Sequence, residues 1–337
     1  MKTTKYQLGD LLVNYDYMRK PLSSIERSEI QGCYPYYGAQ GIIDHINKYN
    51  IEGKYLLIAE DGENLSSRKE PIAFFADGKY WVNNHAHIVR VNDKADINYI
   101  RYALNTMDIS GYVTGSAQPK LSQGKLNKIT ILLPPLPTQR KIASILSAYD
   151  NLIENNRRRI KLLEQMAQNL YKEWFVRFRF TDYQNTVFEN GTPKGWKNMK
   201  IEDICETIGG GTPSTINPEY WGGNIKWVTP TDITSKNSLP LIDIEGRITQ
   251  LGLQKSSAKL LPPHTILMTS RASIGFFGLC EDEVCTNQGF ISIIPKKKNL
   301  RMYILHNLQL RKDEIIANAN GSTFLEISTE LGAPKMI

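Results

Sequence analysis

The sequence has 337 residues, of which 41% are hydrophobic and 22% charged, with a formal net charge of +7. This length exceeds one ordinary core, and this composition is typical of a folded globular protein rather than a disordered one. No apolar run approaches the ~18 residues of a membrane span, and the first residues do not resemble a signal peptide. These two observations favour a protein without membrane contact. The four cysteines lack C-x-x-C spacing, which favours a cytoplasmic protein with reduced thiols and no metal site.

The predicted elements in the first part of the chain are short strands followed by a short helix. The strands are predicted at residues 55–59, 72–75 and 86–91, and the helix at 97–105. The same order returns near the end of the chain, with strands at 225–228, 265–268 and 290–294 and a helix at 301–310. Gly and Pro separate these elements. The mixture of short strands and few helices predicts an α+β fold.

Local sequence patterns also recur between the two parts of the chain. Residues 8–11 are similar to 201–204, residues 84–89 to 287–292, and residues 99–104 to 303–308. Each copy is far longer than the repeat of a solenoid protein, so this is the duplication of a domain. Two similar domains suggest a protein that contacts two places at once.

A long helix is predicted between the copies. The proline-rich segment 133–137 ends the preceding element, Thr138 is the predicted N-cap, and no Pro or Gly follows until Gly191. A helix over residues 138–178 would be roughly 60 Å long. Its apolar residues alternate in spacings of four and three, the heptad pattern of a coiled coil. The predicted packing positions are Ile142, Leu146, Tyr149, Ile153, Asn156, Ile160, Leu163, Ala167, Leu170 and Trp174.

Such a stripe should pack against another helix, and a polar Asn156 inside it would fix the register. The aromatic segment 172–180 is expected to dock the helix on the second copy. Residues 138–180 hold nine Lys or Arg and four acidic residues, which is most of the excess positive charge. This basic stretch is either a nucleic-acid contact or a solvated helix surface. Likewise, the helix is either a plain linker or a ruler that sets the distance between the copies.

No catalytic motif is found. Residues 209–212 are glycine-rich but lack the phosphate-loop pattern, and the histidines lack H-E-x-x-H spacing. The Leu-Pro-Pro-Leu run at 133–136 lacks the flanking residues of an amino-methyltransferase motif. The paired acids Glu60 and Asp61 precede Gly62, which is typical of a turn. These observations favour a binding protein over an enzyme.

Several of these segments resemble type I restriction-modification specificity subunits. The resemblance lies in LLPPLPTQRKI at 132–142, AYDNLI at 148–153, LYKEWF at 170–175, PKGW at 193–196, GGTPS at 210–214, TNQGF at 286–290 and GSTF at 321–324. It implies two target recognition domains, residues 1–136 and 182–337, separated by a conserved coiled-coil helix, residues 137–181. Each domain is then expected to read one half of a bipartite target, and two diverged copies suggest an asymmetric one.

The resemblance also implies a set of partners. Double-stranded DNA, two methyltransferase subunits and motor-nuclease subunits are expected to bind this chain. S-adenosylmethionine, ATP and Mg²⁺ are expected on those subunits, with no cofactor and no catalysis on this chain. The competing hypothesis is a coiled-coil scaffold whose duplicated domains bind proteins.

The family has a second conserved helix, which we expect to be absent here. After Ser328 only nine residues follow, too few for a helix that would pack along the first. A second copy or a separate fragment is expected to supply the missing helix. The alternative is a gene cut short at that point.

Base recognition uses Arg, Lys, Asn and Gln side chains at groove edges, while hydroxyls and lysines mostly hold phosphates. The predicted DNA-contacting residues of the first copy are Tyr36, Tyr37, Gln40, Arg68, Ser116, Gln118 and Lys120. Those of the second copy are Thr212, Ser214, Thr231, Ser270, Arg271, Ser322 and Thr323. The alternative for each is a loop residue without a role. Because Asn83-Asn84 and Asn287-Gln288 recur in both copies, we predict a shared turn there instead of a sequence-specific contact.

Overall fold

The computed structural model describes residues 3–115, 117–197, 199–235 and 239–317. The chain divides into two compact units, unit 1 and unit 2, with the boundary between Arg159 and Ile160. This boundary falls within the long helix, so each unit includes one part of that helix. The segment after Ser328, where a second conserved helix was expected to be absent, lies outside the described residues.

The elements that begin in unit 1 are mostly short strands. The strands are β1 (Thr4–Gln7), β2 (Leu12–Asn14), β3 (Gln31–Gly38), β4 (Gly41–Ile46), β5 (Ile51–Glu52), β6 (Tyr55–Ala59), β7 (Ala73–Ala76), β8 (Lys79–Val82), β9 (Ala86–Val91) and β10 (Thr130–Leu133). The helices are α1 (Ser24–Glu29), α2 (Asn64–Ser67), α3 (Ile97–Thr106), α4 (Gln123–Lys128) and α5 (Leu136–Tyr171). Short 3₁₀ turns lie at Leu8–Asp10, Asp16–Met18 and Ser110–Tyr112.

After the long helix, unit 2 again consists mostly of short strands with a few short helices. Its strands are β11 (Phe188–Glu189), β12 (Thr192–Pro193), β13 (Cys205–Gly209), β14 (Trp221–Val228), β15 (Arg247–Ile248), β16 (Ile266–Thr269), β17 (Phe277–Leu279), β18 (Cys285–Thr286) and β19 (Phe290–Pro295). Its helices are α6 (Ile201–Ile204), α7 (Pro230–Thr234), α8 (Gln250–Gln254), α9 (Arg301–Leu310) and α10 (Lys312–Ala317). The α+β class predicted from the sequence is confirmed.

The main antiparallel sheet has the same strand order in both units. Unit 1 has an antiparallel sheet of order β2-β9-β6-β7, and unit 2 has one of order β13-β19-β16-β17. A second sheet contains a parallel pair in each unit, β3 with β8 and β14 with β18. In unit 1, β1 also pairs with β10. The duplication seen in the sequence is therefore a duplication of strand order.

The central strand of each unit is buried on both faces. In β6, Leu56 and Ile58 join a core with helix α3, while Tyr55 and Leu57 join a different core on the opposite face. In β16, the alternation is the same: Ile266 and Met268 pack with helix α9, and Leu267 packs on the other side. Each such buried side chain stabilises the fold by about 1.5–3 kcal/mol. Successive side chains of a strand point to opposite faces, so one strand serves two cores.

Helix α5 begins at Leu136, two residues earlier than predicted. The carbonyl oxygen of Pro135 accepts hydrogen bonds from the backbone N–H groups of Thr138 and Gln139, at 2.8 and 3.1 Å. Pro137 fits in this first turn because a proline there removes an N–H that would have no helical partner. Thr138 is therefore inside the helix and is not its N-cap.

Regular α-helix ends at Tyr171 and continues as a π-helical turn, Lys172–Val176. Aromatic residues in and after this turn surround Trp196 of unit 2, with ring centroids 5.8, 5.6 and 5.5 Å away for Phe175, Phe178 and Phe180. The buried Tyr171 hydroxyl accepts a hydrogen bond from Asn307 of α9 at 2.9 Å. The predicted docking of this segment on the second copy is confirmed.

The apolar stripe of α5 is largely uncovered in the part of the chain that the structure describes. The exposed members are Leu146, Tyr149, Ile153, Asn156, Ile160, Leu163, Leu170 and Trp174, while Ile142 and Ala167 are half-buried. Near its start the helix packs on unit 1, where Asp150 accepts hydrogen bonds from Tyr102 and Arg101, both at 2.6 Å. The coiled coil stays a prediction.

Candidate nucleic-acid interface

Four loop segments meet at one edge of unit 1, and we call this the unit 1 loop edge. It consists of residues 38–41, 60–64, 83–86, and 114–120 without Ser116. Backbone N–H groups of Asn83, Glu60 and Gly62 donate to the carbonyl oxygens of neighbouring segments: Tyr37 at 3.1 Å, His85 at 2.9 Å and Pro119 at 3.1 Å. These bonds tie the end of β3, the β8–β9 turn and the two remaining loops into one surface.

Four segments also meet at the equivalent edge of unit 2, and we call this the unit 2 loop edge. It consists of residues 209–214, 229–234, 269–276 and 287–289. Backbone N–H groups of Asn287, Ser270 and Gly211 donate to the carbonyl oxygens of Val228 at 3.1 Å, Gly289 at 2.8 Å and Thr286 at 2.8 Å. Two of these three bonds, those of Asn287 and Ser270, have direct counterparts in unit 1.

Asn83 and Asn287 make the same turn in their two units. The Asn83 Oδ1 accepts from the backbone N–H of His85 at 2.8 Å, and the Asn287 Oδ1 accepts from that of Gly289 at 2.9 Å. This side-chain bond two residues ahead is an Asx turn. The predicted shared turn is confirmed, but the sequence match is shifted by one residue, because Asn83 and not Asn84 is equivalent to Asn287.

A charged cluster supports the unit 1 loop edge. The Glu60 carboxylate accepts from Arg19 at 2.5 Å and pairs with Lys120 at 3.3 Å. Burial acts to raise the pKa of Glu60, but Arg19 and the other nearby positive groups lower it below its usual value. The ring nitrogens of the buried His87 face the Asp16 carboxylate at 2.7 Å and the Leu121 carbonyl oxygen at 2.9 Å. Together these contacts hold the segment that carries Lys120.

Only some of the predicted DNA-contacting residues of the first copy lie on this edge. Gln40, Gln118 and Lys120 are exposed there. Tyr37 is half-buried, stacks on Phe74 at 6.0 Å, and has its pKa raised by burial. Ser116 lies outside the described residues.

The structure corrects the predicted positions of Tyr36 and Arg68, whose side chains are engaged inside unit 1. Tyr36 is 1% exposed, and its hydroxyl accepts from the backbone N–H of Leu22 at 2.9 Å. It is a core residue of β3. The guanidinium of Arg68 donates to the carbonyl oxygens of Leu104 and Met107 at 2.7 and 3.1 Å. It binds the end of α3, so the structure assigns this side chain a role within unit 1.

In the second copy, Thr212, Thr231 and Arg271 lie on the unit 2 loop edge, with Thr231 and Arg271 exposed. Thr212 donates a hydrogen bond to the Oε1 atom of Gln288. Ser214 is exposed at the same edge, and its carbonyl oxygen accepts from the Trp221 indole at 3.1 Å.

The prediction for Ser270 is also corrected, because this residue is 2% exposed and so is not available to DNA. Ser322 and Thr323 lie outside the described residues. Gln288 is also exposed on the edge and is not among the predicted residues. Its position directly after the recurring asparagine is the available signal, but the shared turn predicted there accounts for the whole dipeptide.

Neither a metal centre nor a membrane span is found in the part of the chain that the structure describes. No group of three or more His, Cys, Asp or Glu side chains there could hold a metal ion. No helix in the same residues is both long and apolar enough to cross a membrane.

Comparisons with known proteins agree with the duplication. The profile of the type I restriction modification DNA specificity domain matches residues 2–165 and again residues 193–330. The chain is 38% identical over 157 residues to the type I restriction enzyme MjaIX specificity subunit of Methanocaldococcus jannaschii. The aligned region covers 46% of this chain and 36% of that protein. The chain is also 39% identical over 134 residues to a putative type I restriction enzyme specificity subunit, S.HindORF215P, of Haemophilus influenzae. This aligned region covers 39% of this chain and 33% of that protein. The chain thus spans about a third of the length of these curated relatives.

Among solved structures, the fold is similar to the S subunit of a type I restriction-modification system from M. genitalium. The TM-score is 0.58 at 14% identity, over 98% of this chain and 86% of that one. This similarity concerns the fold alone.

Proposed function

We propose, since the chain belongs to the family of type I restriction modification DNA specificity domains, that it is the non-catalytic component that selects the DNA sequence on which a type I system acts. The observation that carries this proposal is the loop edge, which is built twice on the same strand order. A repeated frame that carries different exposed side chains is suited to reading two different short sequences.

In this proposal each unit reads one half of a bipartite target. The exposed side chains differ between the two edges: Gln40, Gln118 and Lys120 in unit 1, and Thr231, Arg271 and Gln288 in unit 2. Amide and basic side chains distinguish bases in the major groove, whereas hydroxyls and lysines contact phosphates as well. The two halves of the target should therefore differ in sequence, which makes the target asymmetric.

Helix α5 is proposed to set the unread spacer between the half-sites and to bind partner subunits. Its exposed apolar stripe supports packing against another helix, supplied by a second copy or another chain. Methyltransferase subunits with S-adenosylmethionine, and motor-nuclease subunits with ATP and Mg²⁺, would supply the chemistry, in the cytoplasm. The alternative, a protein-binding scaffold, predicts no preference for DNA sequence.

The test is to assemble the chain with its cognate methyltransferase subunits, expose the complex to DNA of random sequence and map the methylated adenines. One split motif with a fixed gap is the expected result. A variant with Gln288→Ala should relax the half-site read by unit 2 and leave the other half unchanged. Equal methylation or binding of all sequences by the parent complex would contradict the proposal and favour the scaffold.

A further inference from the structure

His85 lies at the centre of the unit 1 loop edge. Its backbone N–H donates to Asn83, and its carbonyl oxygen accepts from Glu60 at 2.9 Å. Two segments of the edge therefore fix its backbone. The side chain, in contrast, is 45% exposed, so the imidazole is held at the surface by a main chain that cannot easily move.

Asp61 fixes the orientation of this imidazole. Its carboxylate oxygens lie 2.9 and 2.8 Å from the His85 Nδ1, and its side chain is only 15% exposed. Asp61 is itself held in an antiparallel bridge with Lys120. A carboxylate accepts hydrogen bonds and does not donate them, so Nδ1 carries the proton. In the neutral ring, Nε2 then has a free lone pair.

The Nε2 atom makes no hydrogen bond within the described residues of the chain, whereas every other polar atom of His85 has a partner. An oriented acceptor at an exposed edge matches a specific feature of DNA bases. In the major groove, adenine and cytosine present exocyclic amino groups as donors, while guanine and thymine present acceptors at the corresponding oxygen positions.

We propose that His85 is a specificity-determining residue of unit 1. Its Nε2 accepts a hydrogen bond from the amino group of an adenine or cytosine, and Asp61 is the positioning residue that selects the tautomer. The inference rests on the proposed function and deepens it at one position of one half-site. Unit 2 does not share this device, because Gly289 is equivalent to His85. A Cβ atom added to Gly289 would lie 2.9 Å from the Pro230 ring.

The experiment is the methylation of randomised half-sites by the full chain assembled with methyltransferase subunits. In the parent complex, one position of the unit 1 half-site should favour A or C over G or T. His85→Ala should reduce that preference about fivefold, the ratio that corresponds to one hydrogen bond, with all other positions unchanged. His85→Gln, whose amide oxygen also accepts, should retain more of the preference.

Asp61→Ala should relax the same position, and the double variant should be no worse there than His85→Ala, because the two residues act through one atom. His45→Ala, an exposed histidine on β4, is the matched control and should leave every position unchanged. An unchanged preference in His85→Ala, or a uniform loss over the whole half-site, overturns the inference while the proposed function stands. A parent complex without sequence preference overturns both.

Discussion

Arg68 and Leu104 are joined by a hydrogen bond of 2.7 Å from the guanidinium to the backbone carbonyl oxygen. The last carbonyl groups of a helix have no partner within the helix, and Arg68 satisfies this one at the end of α3. Burial lowers the pKa of Arg68, although Asp108 partly opposes this effect. The residue therefore joins the α2 region to α3 from within unit 1.

We predict that Arg68→Ala lowers the free energy of unfolding by about 1–3 kcal/mol, since it removes hydrogen bonds from a charged donor. Denaturant unfolding followed by circular dichroism would measure this change. Base preference at the target should not change in the assembled complex. A variant of normal stability with an altered target would show that Arg68 contacts DNA after all.

The second prediction concerns acid stability. Burial tends to raise the pKa of Asp16, but hydrogen bonds with His87, Ile88 and Asn14, together with the electrostatic effect of His87, lower it below its usual value. A carboxyl whose pKa is lower in the folded state stabilises the fold above its unfolded pKa. This contribution is lost as the pH falls from about 4 through the folded-state pKa. Asp16→Asn should therefore show a smaller decrease in Tm over that range than the parent chain.

Asp282→Asn is the matched control for this experiment. The pKa of Asp282 is also lowered, by its ion pair with Lys226, but this carboxylate is exposed. Exposed pairs contribute little and are screened by salt. A Tm profile of Asp16→Asn that follows the parent chain would contradict a role for this buried contact.

The third prediction tests the apolar stripe of α5. Leu163 is 61% exposed, so Leu163→Glu should leave the folding of the chain intact. It should prevent association with any partner helix that covers the stripe, because a charge would be buried in a coiled-coil seam. Light scattering and co-purification with the methyltransferase subunits would measure this. Gln165→Glu, exposed on the opposite side of the helix, is the control, and equal association of both variants would exclude the stripe as the contact.

The fourth prediction uses the matched turns of the two units. Asn83→Ala and Asn287→Ala should each lower the free energy of unfolding by about 1 kcal/mol, because each leaves a backbone N–H without its acceptor. In the assembled complex, each variant should weaken recognition of one half-site only. At position 287, where the side chain is half-buried, Asp keeps the acceptor and should restore stability. Loss of both half-sites from one substitution would contradict independent reading by the two units.

The duplication and the long helix could be predicted from the sequence, because both leave long-range patterns. Segment order and heptad spacing persist even where individual residues have diverged. The register of the duplication could not be fixed, since Asn83 and Asn84 are identical residues and either matches Asn287. Only the strand pairing of Val82 with Tyr37 decides between them.

The errors among the site residues have local causes. Strand β3 extends through Gly38, so its successive side chains point to opposite faces and Tyr36 points into the core. The partner of Arg68 lies 36 residues further along the chain, and no sequence pattern indicates such a contact. Gln40 and Lys120 are exposed, as turn residues next to strand ends are in most folds. Their contact with DNA stays a prediction.

Most of the bonds that assemble the two loop edges join main-chain atoms. Any residue can accept these bonds and any residue other than proline can donate them, so the frame does not depend on the identity of its exposed side chains. Mutations at Gln40, Thr231 or Gln288 can therefore accumulate with little effect on folding. On the proposed function, such a frame would let a lineage acquire a new target by a few substitutions in one unit, while the other half of the target is inherited unchanged.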